Sequence, residues 1–248
     1  MAARITPLRL QAFDQLPKHA RRCVYWEVDP AIIDGGDHLS DPEFEKEAWL
    51  SMVMLEWGSC GQLAVERRTG GPSDVLSDPD DEPCLGYAFY APPRSVPRAG
   101  RFPTGPVSAD AVLLTTLGIE ASQGSEALAQ TLITAVVGDL VRRGVRALEA
   151  FGRTAAVNEL SDRESAPLDV RPVMEALGDC SVDQCVLDAD MLMDAGFEVV
   201  SHHTYFPRLR LELEQGLGWK AGVEAALERL LESAELQQPV GAGASPCR

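Results

Sequence analysis

Apolar positions along the chain recur at two spacings, every second residue and every third or fourth, and the switches between them outline a mixed α/β protein. Residues 1–20 read as a leader arm or a short helix. A first strand follows over residues 22–28 (RCVYWEV), rich in β-branched and aromatic side chains and closed by Asp29-Pro30. After a loop over residues 31–41, Ser40 or Asp41 can cap a helix reaching about Trp57, with Pro42 in its first turn and Glu43 placed for a capping box. Phe44, Ala48, Met52 and Leu55 supply much of its apolar face.

Strand patterns recur over residues 62–67, 84–90 and 111–119, the first two separated by a Gly-, Pro-, Ser- and Asp-rich connection. Residues 127–143 carry Leu128, Leu132, Val136 and Leu140 on one helical face, and residues 145–151 form the next strand. A Pro-broken polar stretch runs to about Cys180. Ser181 with Gln184 is a capping box for a helix through Ala195, and Gly196 fits its C′ position. Strands at 197–201 and 207–214 follow; in the second, Leu209, Leu211 and Leu213 alternate with Arg208, Arg210 and Glu212. A last helix over residues 221–233 uses Val223, Leu227 and Leu230, and residues 236–248 have the composition of a disordered tail. The division expected is an arm at 1–21, one domain at 22–214, a helical extension at 215–235 and the tail.

The 248 residues are 45% hydrophobic and 24% charged, ordinary values for a globular chain. Without a continuous apolar run to cross a bilayer or serve as a secretory leader, a cytoplasmic protein with no membrane partner is expected. With 38 acidic against 22 basic residues, the net charge of -16 opposes binding to nucleic acid and suits a cationic partner, although acidic surfaces also serve solubility alone. Six cysteines, at 23, 60, 84, 180, 185 and 247, form no CxxC pair and no zinc-type cluster in sequence, so no metal is expected.

The stretch from Leu117 to Leu132, LGIEASQGSEALAQTL, resembles the central signature of the GNAT N-acyltransferase superfamily. There a strand ends in an apolar residue, here Ile119. A loop carrying Arg or Gln leads to Gly-x-Gly or Gly-x-Ala opening a helix. Gly124 falls where Arg or Gln is expected, and Ala127 and Ala129 take the two small positions. Residues 145–151, the DMLMDAGF segment at 190–197 and the last strand pair also follow the family's order. The resemblance implies a mixed, centrally splayed sheet flanked by helices, divided between the strands at 111–119 and 145–151. It implies acetyl-CoA or another short acyl-CoA as co-substrate, held by Leu117, Gly118, Ile119, Gly124, Ser125, Glu126, Ala127, Leu128 and Ala129. A helix N-terminus with small side chains suits a diphosphate. Read without the resemblance, these residues make an ordinary strand–loop–helix corner.

The activity implied is N-acyl, and in particular N-acetyl, transfer to a primary amine by direct attack. Glu149, in Ala147-Leu148-Glu149-Ala150, resembles the glutamate base of protein N-terminal acetyltransferases; it also fits a charge on the solvent face of a strand. Leu192 stands where the family carries its general-acid tyrosine, leaving Tyr205, Tyr90 or unassisted thiolate departure. Glu27 and Asp29 could form an acidic pocket for the amine, with Tyr90 beside it. His202 and His203 fit surface residues of a hairpin. The acceptor is expected to be a cationic or amine-bearing small molecule, peptide or protein, and a homodimer is compatible with the sequence. The alternative reading, motivated by Gly124, Ala127, Ala129 and Leu192, is a catalytically inactive GNAT-like binding or regulatory protein.

Overall fold

The computed structural model of the chain describes residues 3–29, 41–66, 83–120, 124–160, 167–171 and 182–213. The loop at 31–40, most of the 69–83 connection, the Ser181 cap, the helix at 221–233 and the tail lie outside these residues. Eight strands are described: β1 (Ala3–Pro7), β2 (Gly61–Glu66), β3 (Cys84–Ala91), β4 (Ala111–Ile119), β5 (Ala147–Arg153), β6 (Leu187–Asp188), β7 (Glu198–Ser201) and β8 (Arg208–Glu212). The α-helices are α1 (Lys18–Arg22), α2 (Pro42–Glu56), α3 (Ser125–Arg142), α4 (Val182–Cys185) and α5 (Ala189–Asp194). The sheet runs β1-β2-β3-β4-β5-β8-β7, with β6 pairing β5 off this path. Every described pairing is antiparallel except β4–β5 and β5–β6.

The division of the sheet is explicit in its register. β4 pairs β5 only at Ala111↔Ala147, Val112↔Leu148 and Leu113↔Glu149; beyond Leu113 no described ladder joins the two strands. On β4 the register against β3 shifts between Thr116 and Leu114, which places a bulge at Thr115, whose hydroxyl donates to the Phe89 carbonyl at 3.1 Å. The mixed, centrally splayed sheet implied by the resemblance is the sheet observed.

One face of the sheet packs on α3 and α5. Val112, Leu114, Leu148, Ala150 and Leu209 meet Ile133, Val136, Leu140 and Leu192 there. Gly152 permits this approach, since a Cβ on it would lie 2.9 Å from the Ala189 Cβ. The helix expected after Ser181 is broken, because Leu187 and Asp188 pair with Gly152 and Arg153 of β5 and Asp188 then caps α5 by accepting from the Asp190 and Met191 amides. Gly196 holds the left-handed conformation expected of a C′ residue, at φ +93°.

Three expectations near the N-terminus are corrected. Residues 3–7 are neither arm nor helix but an edge strand on β2. Residues 22–28 are not a strand: Val24 to Glu27 are consecutively buried, and the Val24 carbonyl accepts from the Glu27 and Val28 amides in a turn. Arg98 closes that turn by donating to the Tyr25 carbonyl at 2.9 Å, and Trp26 stacks on Phe102. α2 has its cap at Asp41, but its faces are reversed. Lys46, Trp49, Leu50 and Val53 are buried, whereas Phe44, Ala48, Met52 and Leu55 are exposed, Leu55 at 86%. Among the described residues no helix is long and apolar enough to cross a membrane.

Candidate cofactor cleft and the fork of the sheet

The residues expected to hold acyl-CoA gather at the N-terminus of α3. Gly124 takes the left-handed conformation at φ +72°, no side chain among the described residues caps the helix, and Gly124 to Ala127 are exposed. The first-turn N–H groups therefore lack intrahelical acceptors, as a diphosphate site requires. Leu128 and Ala129 instead turn inward: Leu128 packs with Leu132 near Leu117 and Ile119. Gly118 is covered by the Tyr87 ring, 2.3 Å from where a Cβ would stand.

Beside this terminus lies a cleft of about 680 Å³, lined by Glu126, Ala127, Ala129, Gln130, Asp188, Asp190, Met191 and Asp194. Four carboxylates and no cationic side chain line it among the described residues. Nor does the sequence offer one nearby, for no Lys or Arg occurs between Gly118 and Val141. Asp188 is partly neutralised by Arg153 at 3.3 Å and occupied as the α5 cap; Glu126, Asp190 and Asp194 remain. A carboxylate about 4 Å from a phosphate charge costs roughly 1 kcal/mol in bulk water and about 4 kcal/mol near a protein surface. The backbone of a phosphate cradle is present, but its side chains repel the group.

The path for a pantetheine arm is also obstructed. Cys185, Val186 and Leu187 are buried, β6 occupies the edge of β5 that faces β4, and both α4 and β6 touch β4. The void left at the fork, lined by His19, Cys23, Glu27, Lys46, Phe89, Thr116, Gln184 and Cys185, measures about 10 Å³. That is room for one water at most. Among the described residues the first-turn N–H groups suit a diphosphate, whereas the acidic lining and the filled fork oppose acyl-CoA.

Glu149 sits on the last paired rung below the fork and is fully buried. Its Oε2 accepts from the Ser108 amide at 3.1 Å and from Arg208 at 2.5 Å, and its Oε1 accepts from Arg210 at 3.0 Å. Burial alone would push this carboxyl up; hydrogen bonds from Ser108, Arg208 and Arg210 outweigh it and hold the group below the usual carboxylate range. Tyr205 lies beyond the other end of β5, where its carbonyl accepts from the Thr154 amide at 3.0 Å. Five residues of extended chain separate the levels of Glu149 and Thr154, about 16 Å. The two candidate catalytic residues are not brought together.

Tyr90 is fully buried on the α3 face, donating to Asp139 at 2.9 Å and accepting from Gln62 at 3.0 Å, and burial pushes its hydroxyl up. Glu27 is buried against Lys46, while Asp29 is exposed, so the two do not line one pocket. His203 accepts at Nδ1 from the Tyr205 and Phe206 amides and meets Asp169 at 3.0 Å, a turn-forming role. Leu192 is fully buried.

One constellation was not legible from cysteine spacing. His19, Cys23 and Cys185 converge at the fork, their ligand atoms all within 4.8 Å of one another. Hydrogen bonding to Cys23 raises His19 above the ordinary imidazole range against the opposing effect of burial. The signal available in the sequence was the four-residue spacing of His19, Cys23 and Glu27, which sets side chains on one side of a helical turn. The partner at 185 is distant in sequence and shares the core cluster against which Cys23 packs.

No family model matches the chain, and no curated protein matches it. Among solved structures, it is similar to PaiA N-acetyltransferase from Thermoplasma acidophilum in complex with coenzyme A, at 10% identity and a TM-score of 0.45, over 86% of this chain and 99% of that one. It is similar to the NatC complex bound to Gag peptide and CoA, at 11% identity and a TM-score of 0.45, over 86% and 100%. A protein from Desulfovibrio desulfuricans assigned to the GNAT acetyltransferases is 16% identical, with a TM-score of 0.39, over 86% and 99%. Likeness of this extent says nothing of activity.

Proposed function

We propose that the chain uses its GNAT-like framework as a non-catalytic binding domain, with a cationic, amine-bearing small molecule, peptide or protein as its ligand. The observation that carries this reading is the cleft at the N-terminus of α3, where, among the described residues, Glu126, Asp190 and Asp194 stand without a cation beside the position a diphosphate would take. A cationic ligand gains from those charges and from a net charge of -16. The filled fork and the commitment of Glu149 to two arginines support the same reading.

A second reading, N-acyl transfer from acetyl-CoA or another short acyl-CoA to a primary amine, is favoured by the uncapped first turn of α3 and the left-handed Gly124. The N–H groups of Ser125, Glu126 and Ala127 would then hold the cofactor, which would supply the acyl group.

Isothermal titration separates the two. The binding-domain reading expects no saturable heat with acetyl-CoA or desulfo-CoA, and salt-sensitive binding of spermine as a cationic probe that weakens in an Asp190→Asn/Asp194→Asn variant. One-to-one binding of acetyl-CoA by the wild-type chain overturns it in favour of the acyltransferase reading.

A further inference from the structure

The fork of the sheet carries a group of side chains that neither reading uses. Cys23 closes α1, its amide donating to the His19 carbonyl at 2.8 Å, so His19 and Cys23 lie one turn apart. Cys185 ends α4, and the Trp26 indole fixes its backbone by donating to its carbonyl at 2.8 Å. The Cys23 and Cys185 sulfurs are 3.6 Å apart.

That separation has a chemical meaning. Two thiolates on one tetrahedral zinc ion, each with a bond of about 2.3 Å, stand about 3.8 Å apart. Two sulfurs and an imidazole nitrogen are the donor set that selects zinc over hard cations such as magnesium or calcium. A second, independent feature lines the same void. The Glu27 side chain is 1% exposed and lines the void, and its Oε2 has no hydrogen-bond partner among the described residues. A buried carboxylate oxygen without a donor is costly, and a bound cation removes that cost.

We propose that His19, Cys23 and Cys185 form a zinc-binding site at the fork of the sheet, with its fourth position facing the void lined by Glu27. On binding, each thiol gives up its proton to solvent, the imidazole binds in its neutral form, and two S–Zn bonds and one N–Zn bond form without any change of oxidation state. The charges balance: the ion and two thiolates sum to zero, and Glu27 is matched by Lys46. The ion would tie α1 to α4 between residues 162 apart in sequence, closing the mouth of the splay. The other described thiols differ. Burial pushes Cys60 up to about 12 and Cys84 up to about 11, and neither belongs to the cluster.

The test uses the full chain, reduced, stripped with a chelator and titrated with cobalt(II) and then zinc(II). The wild type is expected to take up one cobalt per chain, with a thiolate charge-transfer band in the near ultraviolet and visible bands of a tetrahedral site, both abolished by one equivalent of zinc. Cys23→Ser and Cys185→Ser are each expected to weaken cobalt binding by more than the roughly 100-fold that loss of an outer hydrogen-bond partner costs. Cys60→Ser keeps the wild-type spectrum. Zinc is expected to raise the melting temperature of wild type and Cys60→Ser but not of the two ligand variants, whose circular dichroism without metal reports whether they fold. The proposal is overturned if the reduced wild type shows no thiolate–cobalt band, or if that band survives unchanged in folded Cys23→Ser and Cys185→Ser. It is equally overturned if Cys23 and Cys185 are cross-linked in the isolated chain and take up no cobalt after reduction. Acetyl-CoA binding has no bearing on these outcomes.

Discussion

Two buried glutamates, Glu149 below the fork and Glu27 beside it, meet their charges in opposite ways. Glu149 has both oxygens engaged, by Arg208, Arg210 and the Ser108 amide, and its carboxyl is held below the usual range. Glu27 has one oxygen on Lys46 and the other without a hydrogen-bond partner among the described residues, and burial pushes it up despite the lysine. The arginines reach Glu149 from half-buried positions on β8 and keep other acceptors, Arg210 on Asp110 and Glu212 and Arg208 on the Thr104 carbonyl and the Ser108 hydroxyl, so their charges are shared. Lys46 is 2% exposed and meets Glu27, the Cys23 carbonyl and the Phe89 and Trp49 rings. A fully satisfied carboxylate at a strand junction acts as a clamp between β5 and β8. A half-satisfied one beside two thiols and a histidine is a place for chemistry.

The largest effect is expected from breaking the Glu27 side. Lys46→Met leaves an unpaired buried carboxylate and should cost about 3–5 kcal/mol, measured by urea unfolding. The Lys46→Met/Glu27→Leu double variant should recover much of that loss, because no charge remains buried. Equal losses in the single and double variants would show that Lys46 matters for its packing on Trp49 and Phe89 and not for its charge.

Glu149→Gln is expected to cost less, about 1.5–3 kcal/mol, because both arginines keep other acceptors. The pH dependence distinguishes this from a packing loss. The folded carboxyl lies below its reference value of 4.5, so its stabilisation is complete above that value and disappears as pH falls through the lower folded value. The wild type should lose stability on that acid limb more steeply than Glu149→Gln. Parallel limbs would remove Glu149 as the group responsible.

The two glutamates also mark what could be read from sequence. Strands β2 to β5 follow from short, mostly apolar runs that are buried nearly throughout, and β8 and helix α3 from the periodic spacing of their apolar positions. α2 was read backwards because Lys46 lies on its buried face: a pattern argument assigns lysine to solvent and so places Phe44, Met52 and Leu55 inside. The turn at 24–28 has the composition of a strand, yet it wedges Tyr25 and Trp26 into the core with Arg98 closing the backbone. β6 depends on an open edge of β5, a long-range feature that no local propensity encodes. Glu149 was placed on the right strand, but the alternating Arg208 and Arg210 read as a solvated face. Only the β5–β8 register brings them onto the glutamate.

A third glutamate sharpens the comparison with the smallest expected effect on folding. Glu126 is exposed in the first turn of α3, where its charge favours the helix dipole by about 0.3–1 kcal/mol. Glu126→Gln should therefore change unfolding free energy by no more than that amount. Its effect on ligands should be larger in proportion, because the cleft's field is the sum of a few carboxylates. Removing one, at the roughly 1 kcal/mol of a water-screened pair, should weaken spermine binding about fivefold at low salt and less at high salt, by titration calorimetry. The same substitution removes a repulsive charge from the position of a diphosphate but leaves Cys185 to Leu187 in the fork. If acetyl-CoA binding appears in Glu126→Gln, charge alone excludes the cofactor from the wild type; if it does not, the filled fork is the stronger barrier.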